Sequence, residues 1–139
     1  MPHRKSLASM WRRAPQRYRM ESTMCSSCNT YFFPPRNFCP TCRRKSKIEP
    51  YVPSGKGKVY SYSIVHVAQE GFELEVPYVL AIVELKEGAK VTAQVCDVNF
   101  DELKIGMPVE TTFRRISEGG EKGIIHYAYK FIPTSEQSK

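Results

Sequence analysis

The sequence predicts a mainly β protein in which a short helical segment precedes a small ribbon, held together by a metal ion, and a five-stranded barrel. Two observations support this fold class. Four cysteines in the first third are spaced as two C-x2-C pairs, and five runs rich in Val, Ile, Tyr, Thr and Phe fill the rest of the chain. Paired cysteines at that spacing favour a metal site, whereas those β-branched and aromatic residues favour strands. A chain of 139 residues has room for both parts.

Residues 1–20 are predicted to form an N-terminal helical docking segment. Leu7, Met10 and Trp11 recur at helical spacing, and Pro15 is expected to end one short helix and open another turn. So short a helix is marginal alone in water and needs a surface to pack on, either this protein's own core or a partner. Trp and Arg are enriched at binding hot spots. The candidate docking residues are therefore Trp11, Arg12, Arg13, Arg17, Tyr18 and Arg19.

Residues 21–47 are predicted to form a rubredoxin-like zinc ribbon. Each C-x2-C pair can wrap one tight turn around a metal, so two pairs supply four sulfur ligands in a tetrahedron. Because four sulfurs leave no coordination position open, the single zinc expected per chain is structural rather than catalytic. The predicted ligands are Cys25, Cys28, Cys39 and Cys42.

The alternative to zinc is a pair of disulfides. The chain opens with Met-Pro-His-Arg-Lys and shows no apolar stretch like that of a signal peptide, so we expect a cytoplasmic location. In a reducing compartment, paired thiols at this spacing are more often ligands than bridges. The fifth cysteine, Cys96, has no His or second Cys near it in the sequence and is interpreted as a small, buried or half-buried apolar residue.

Left-handed backbone conformations are expected after the second cysteine of each pair, where many zinc knuckles carry Gly. Asn29 and Arg43 occupy these positions. Asn adopts that conformation readily and Arg less so. The second knuckle is therefore expected to be less regular than the first.

Residues 48–57 are predicted to be a linker without regular structure, because they contain two prolines and two glycines. Residues 58–133 are assigned to an OB-fold barrel and residues 134–139 to a flexible tail. Between the third and fourth runs, the segment 99–106 has room for the helical turn that an OB-fold inserts there, ending at Gly106. A sandwich fragment and an SH3-like barrel remain open. The predicted strands are 58–67, 78–85, 90–98, 108–116 and 124–132.

The last predicted strand alternates, which indicates one buried and one solvated face. Ile125, Tyr127, Tyr129 and Phe131 fall on one face, which we expect to be core, and His126 and Lys130 on the other. The acidic segment 69–76 is expected to be a mobile, solvated loop whose Phe72 and Leu74 can meet a partner.

Charge is distributed unevenly along the chain. Residues 1–47 hold eleven Lys and Arg against one acid, whereas residues 48–139 hold ten against thirteen. This asymmetry suggests that the first third meets an anionic partner, although a solvated charged surface is the alternative. No run is long and apolar enough to span a membrane. His3, His66 and His126 stand apart from any recognisable catalytic motif, so no catalytic residues are predicted. Single-stranded nucleic-acid binding and protein docking remain as functions.

The order of these motifs resembles a known family. Over nearly the whole chain it is similar to zinc-ribbon plus OB-fold accessory proteins associated with thiolases and other acyl-CoA enzymes, notably archaeal members that assemble with acetoacetyl-CoA thiolase and hydroxymethylglutaryl-CoA synthase. The segments that carry the resemblance are Trp11-Arg12-Arg13, Arg17-Tyr18-Arg19, the two knuckles around Phe33-Pro34-Pro35-Arg36, the run Gly57 to Ser63, and Pro77 to Ala81.

The resemblance implies a noncatalytic subunit that bridges these two enzymes and helps acetoacetyl-CoA pass between them, early in the mevalonate route to isoprenoids. It implies the same four cysteines as zinc ligands. It leaves open which side chains meet a CoA thioester in the complex, a contact that the basic residues could make through the CoA phosphates. A single-stranded nucleic-acid-binding protein remains the alternative.

Overall fold

The computed structural model describes residues 6–69, 72–118 and 123–134, and for residues 117 and 118 it describes the backbone only. The expectations for the first five residues, for Glu70 and Gly71, and for tail residues 135–139 lie outside these ranges. The chain forms two compact units, Met1–Val52 and Pro53–Lys139. The fold is mainly β, with one α-helix, a ribbon carrying the cysteine cluster and a closed five-stranded barrel, as predicted. A short 3-10 helix, Arg43–Lys45, follows the fourth cysteine of the ribbon.

The first unit begins with helix α1, Leu7–Arg19, which continues through Pro15. The predicted break at Pro15 is therefore wrong. A proline inside a helix removes one backbone hydrogen bond and crowds the preceding turn, which does not by itself end the helix. The helix ends at Met20, whose backbone is left-handed and whose side chain is buried. No helix in the described ranges is long and apolar enough to cross a membrane.

The ribbon is a three-stranded antiparallel sheet in the order β2-β1-β3. Its strands are β1 (Ser22–Cys25), β2 (Thr30–Phe32) and β3 (Ile48–Tyr51). The expectation that residues 48–57 lack regular structure is wrong at both ends, because β3 pairs with β1 and the next strand begins at Lys56. Pro50 is tolerated in β3 because the strand lies at the sheet edge.

The second unit is a closed barrel with strand order β4-β5-β6-β8-β7. All neighbouring pairs are antiparallel except β6 with β8, which pair in parallel at Val95 and Phe131. Hydrophobic alternation explains why β5 faces the core on one side, since every second residue from Val79 to Leu85 is buried. The strands are β4 (Lys56–Val65), β5 (Tyr78–Leu85), β6 (Lys90–Val95), β7 (Pro108–Glu118) and β8 (Ile125–Pro133).

The segment between β6 and β7 forms hydrogen-bonded turns instead of the helix that many OB-folds insert. The Glu102 amide donates to the carbonyl of Asn99 at 3.1 Å, and Leu103 is buried beneath the turn. Gly106 has a φ of +87°, a conformation that favours glycine, and its amide donates to the Val59 carbonyl at 2.7 Å. These bonds hold the turns against β4.

Strands β7 and β8 extend as a hairpin beyond their pairing with the rest of the barrel. β7 pairs with β4 as far as Glu110, and β8 pairs with β6 at Phe131. Beyond these residues, β7 and β8 continue to pair with each other as far as Glu118 and Ile125. The predicted core face of β8 is thus correct only near the barrel, because Ala128 and Lys130, on the face predicted to be solvated, are the buried residues further along the strand. Phe131 is 0% exposed, but Ile125 is 46% exposed.

Candidate functional site

The four predicted metal ligands come together in the ribbon. Cys25 ends β1, Cys28 follows in the turn before β2, and Cys39 and Cys42 lie in a second turn before β3. Their four sulfur atoms all lie within 4.8 Å of one another, and Cys25 and Cys39 are fully buried. The Sγ atoms of Cys28 and Cys39 are 3.6 Å apart. A zinc tetrahedron with sulfur at about 2.3 Å has edges of about 3.8 Å, so the sulfur set fits zinc.

The backbone of both knuckles adopts the conformation expected from the sequence. Asn29 has a φ of +52° and Arg43 a φ of +50°. The expected irregularity of the second knuckle is not seen in these angles, because Arg43 takes the same left-handed conformation as Asn29. The Arg43 amide donates to the carbonyl of Cys39 at 2.8 Å, and the Cys42 amide donates to Cys39 Sγ at 3.5 Å. These bonds offset the cost of a left-handed arginine.

The thiols of the cluster differ in acidity. Burial raises the pKa of Cys25, but hydrogen bonds from the backbone amides of Ser27 and Cys28 outweigh it and lower that pKa to about 6. Hydrogen bonding to Cys28, together with burial, raises the pKa of Cys42 to about 12. Several negative charges in so small a space repel one another, so the cluster needs a cation to hold four thiolates.

The arrangement therefore supports a structural zinc. Four sulfurs complete a tetrahedron and leave no position for water or substrate, so a metal bound here would hold the two knuckles and the sheet together without binding substrate. Within the described parts of the chain, these four cysteines form the one group of three or more potential ligands that lie together.

The structure separates the six predicted docking residues of α1. Trp11 is 82% exposed and Tyr18 is also exposed, so Trp11 does not cover this protein's own core. Arg12 lines a groove of about 440 Å³, and Arg19 forms an ion pair with Glu21 at 2.6 Å. Arg13 and Arg17 are exposed on the remaining surface of the helix.

Most of the positive charge in the first unit is not neutralised within it. The described part of this unit holds nine cations against two acids, Glu21 and Glu49, and among these cations only Arg19 forms an ion pair. Arg36 instead lies over the ring of Phe32, 5.3 Å from its centroid. The cations are Arg12, Arg13, Arg17, Arg19, Arg36, Arg43, Arg44, Lys45 and Lys47.

Two aromatic side chains stack on the hairpin of the second unit. The rings of Phe113 and Tyr127 lie 5.3 Å apart with an interplanar angle of 13°, and both residues are exposed. Phe113 faces Tyr129 across the strands, on the side of the sheet that carries Phe131 nearer the barrel. Of the two stacked residues, Tyr127 is one that the alternation of the last strand assigned to the core.

The loop before β5 is held against the barrel, contrary to the expectation of a mobile, solvated loop. Phe72 packs on Tyr78, with ring centroids 5.8 Å apart, and Glu75 accepts hydrogen bonds from the side chains of Gln94 and Lys130. Lys130, expected on a solvated face, is buried. Leu74 alone of the two apolar candidates is fully exposed. No local pattern links Glu75 to Lys130, which is 55 residues away.

Cys96 is half-buried, in agreement with its interpretation as a small apolar residue. Burial raises the pKa of its thiol, so the thiol stays protonated and unreactive at neutral pH. Its backbone amide donates to the carbonyl of Phe131 at 2.8 Å and helps close the seam between β6 and β8.

Comparison with known proteins identifies both units. Residues 12–47 match the family described as "ChsH2, rubredoxin-like zinc ribbon domain", and residues 51–114 match "ChsH2, C-terminal OB-fold domain". A "DUF35 domain-containing scaffold protein" of Methanocaldococcus jannaschii is 50% identical over 93% of this chain and 92% of its own length. A benzoylsuccinyl-CoA thiolase subunit of Geobacter metallireducens is 32% identical over 78% of this chain and 71% of its own.

A solved structure shares the architecture. It is described as "Ltp2-ChsH2(DUF35) aldolase", is 29% identical in sequence and superposes with a TM-score of 0.69, covering 96% of this chain and 98% of that one.

Proposed function

This chain belongs to the DUF35 family of zinc-ribbon plus OB-fold proteins, and we propose that it is a noncatalytic scaffold subunit. In this proposal it bridges acetoacetyl-CoA thiolase and hydroxymethylglutaryl-CoA synthase and helps acetoacetyl-CoA pass from the first enzyme to the second in the mevalonate pathway. The scaffold name of the archaeal relative supports the scaffold role, and the thiolase-subunit name of the bacterial one supports a thiolase as one partner.

The observation that carries the proposal is the positive charge of the first unit, which the unit itself leaves uncompensated. Nine described cations and one ion pair within the unit leave a surface that an acidic protein surface would complement. Because the four cysteines would saturate a zinc ion, the ribbon contributes a fixed shape rather than a reaction.

A bridge needs two separate surfaces, and the two units differ in the surfaces that they expose. The first exposes Trp11 among arginines, whereas the second exposes the stacked pair of Phe113 and Tyr127 on a hydrogen-bonded hairpin. Aromatic side chains on rigid elements bury a large area at a small entropic cost. We assign one enzyme to each unit.

Holding the two enzymes together would serve the chemistry of the route. Claisen condensation of two acetyl-CoA molecules to acetoacetyl-CoA and free CoA is unfavourable, so rapid consumption of acetoacetyl-CoA pulls the reaction forward. Exposed cations of the first unit could also contact the phosphates of a CoA thioester while it passes between the enzymes.

The test is reconstitution from purified components. The chain, the thiolase and the synthase from the same organism are mixed in pairs and all together, and masses are measured by native mass spectrometry and light scattering. We expect a ternary complex that forms only when the chain is present, less free acetoacetyl-CoA and faster synthase product formation. Co-elution of the two enzymes without the chain, or binding of the chain to neither enzyme, would exclude the bridging role.

Single-stranded nucleic-acid binding is the alternative that the stack of Phe113 and Tyr127 favours. Exposed aromatic rings on an OB-fold hairpin can stack on bases. Fluorescence anisotropy with labelled single-stranded DNA and RNA, from 50 to 300 mM salt, tests this function. Tight, salt-sensitive binding that Phe113→Ala abolishes would support nucleic-acid binding over the scaffold role.

A further inference from the structure

Helix α1 exposes three of its large apolar side chains to solvent. Leu7, Trp11 and Tyr18 are 63%, 82% and 50% exposed, and no residue of the helix is buried. Their spacing of four and seven residues, with Ala14 between, places them along one stripe of the helix. A helix that merely covered its own domain would turn this stripe inward. Leu7, Trp11, Ala14 and Tyr18 together form the outer stripe of the helix.

The other side of the helix faces its own unit. Arg12, Pro15 and Gln16 line a groove together with residues of the ribbon sheet, including Thr23 and Tyr51. Met20, which ends the helix, is buried and anchors it. The helix therefore turns Arg12, Pro15 and Gln16 toward its own unit, and most of the surface of Leu7 and Trp11 is exposed to solvent.

Two arginines lie beyond one edge of the outer stripe. Arg13 and Arg17, four residues apart, are exposed and form no ion pair among the described residues. One of the two described acids of this unit, Glu21, is already paired with Arg19. A surface that accepts the outer stripe would complement these two guanidinium groups by carrying carboxylates beside an apolar groove.

We infer that the outer stripe is a helix-in-groove ligand for one of the two partner enzymes, which would present an apolar groove bordered by carboxylates. The inference rests on the proposed scaffold function and deepens it, because it assigns the docking contact to the outer stripe with Arg13 and Arg17. Arg12, which lines the groove of the unit, and Arg19, which pairs with Glu21, lie outside this contact. Apolar anchors at such spacings are how amphipathic helices occupy protein grooves.

A protein groove explains the stripe better than an anionic membrane does. Helices that lie in a membrane interface bury a broad apolar face rich in large side chains. The outer stripe has three large apolar residues, and arginines occupy four of the thirteen helix positions. So narrow a stripe fits a groove that encloses it from both sides.

The only tryptophan of the chain lies in this stripe and provides the probe. The chain is labelled with 5-fluorotryptophan, whose single ¹⁹F resonance reports on Trp11, and is titrated separately with the thiolase, the synthase, anionic phospholipid vesicles and single-stranded DNA. We expect the resonance to shift and broaden with one enzyme only. Native mass spectrometry of the same samples records independently whether each enzyme binds.

Variants then separate docking from folding. Trp11→Ala should weaken binding of that enzyme at least thirtyfold, while Arg13→Glu with Arg17→Glu should weaken it at least tenfold. Gln16→Ala on the inner side and Lys104→Glu, a reversed exposed cation in the second unit, serve as controls and should change affinity less than threefold. Trp11 is so exposed that its replacement by a strong helix former should leave the fold and the zinc content unchanged.

Each outcome decides the inference. If the complex with both enzymes forms but the ¹⁹F resonance does not move and Trp11→Ala binds normally, the outer stripe is not the docking element although the scaffold function stands. If neither enzyme binds the wild-type chain, the proposed function and the inference fall together. A shift with vesicles or DNA but with neither enzyme would assign the stripe to that other occupant.

Discussion

Lys130 on β8 places its Nζ atom 3.1 Å from Oε2 of Glu75, which lies in the loop before β5. The lysine side chain is 7% exposed and the glutamate 32% exposed, and Gln94 donates to the same carboxylate oxygen at 2.9 Å. A buried ammonium group is stable only when it is paired. This ion pair therefore helps to hold the loop, with its exposed Leu74, against the barrel.

Glu75→Gln should destabilise the protein because it leaves the buried ammonium of Lys130 without a counter-charge. We expect a loss of about 2 kcal/mol, below the 3–5 kcal/mol of a fully buried pair because Glu75 keeps some contact with water. Lys130→Met, which removes the charge and keeps the apolar stem, should cost about 1 kcal/mol. Urea denaturation measures both values.

The exposed pair of Arg114 and Asp97, 2.9 Å apart, supplies the control for that experiment. Asp97→Asn breaks an exposed ion pair and retains a side chain that accepts the left-handed backbone at this position, so it should cost less than 1 kcal/mol. Equal losses of unfolding free energy for Asp97→Asn and Glu75→Gln would show that burial does not strengthen the ion pair between Lys130 and Glu75.

Arg43→Gly should stabilise the ribbon. Replacing Arg at a φ of +50° relieves about 1–2 kcal/mol of left-handed strain and adds about 1 kcal/mol of chain entropy to the unfolded state, which leaves a gain of about 0.5 kcal/mol. Arg44→Gly removes the same charge at a neighbour without positive φ and should instead destabilise by about 1 kcal/mol. Thermal unfolding with zinc bound distinguishes the two. A loss of stability in Arg43→Gly would mean that its side chain is needed for contacts.

Removing zinc should unfold the ribbon and leave the barrel folded. Structural zinc contributes about 10 kcal/mol or more to such modules, whereas the barrel has its own core around Val83 and Phe131. After chelation, amide resonances of β1 to β3 should collapse in a ¹⁵N correlation spectrum while those of β5 and β6 persist, and bound partners should be released. Cys96→Ser should retain one zinc per chain. Loss of all dispersed resonances would show that the barrel depends on the ribbon.

Zinc affinity should fall as the pH is lowered, because protons and zinc compete for the same sulfurs. With the pKa of Cys25 lowered to about 6 and that of Cys42 raised to about 12, Cys25 is largely a thiolate at pH 7 and Cys42 is protonated. Zinc binding must therefore release at least one proton. Calorimetry in two buffers of different ionisation enthalpy counts the protons, and a count of zero would contradict the prediction.

Local chemistry explains what could be read from the sequence. The ligands Cys25, Cys28, Cys39 and Cys42 follow from spacing because each pair closes its own turn, and the barrel strands follow from runs of β-branched and aromatic residues. The left-handed positions Asn29 and Arg43 follow from the same knuckle geometry. These features depend on residues a few positions apart.

Tertiary structure decided the rest. Alternation placed Ile125 and Phe131 on one face correctly, but only the barrel determines that Phe131 is enclosed while the hairpin carries Ile125 beyond the core. Helical spacing grouped Trp11 with Leu7, yet the packing of Met20 and Gln16 determines that this group faces outward. Lys130 is buried because a carboxylate 55 residues away reaches it. Periodicity tells which side chains share a face, whereas burial depends on what long-range contacts place against that face.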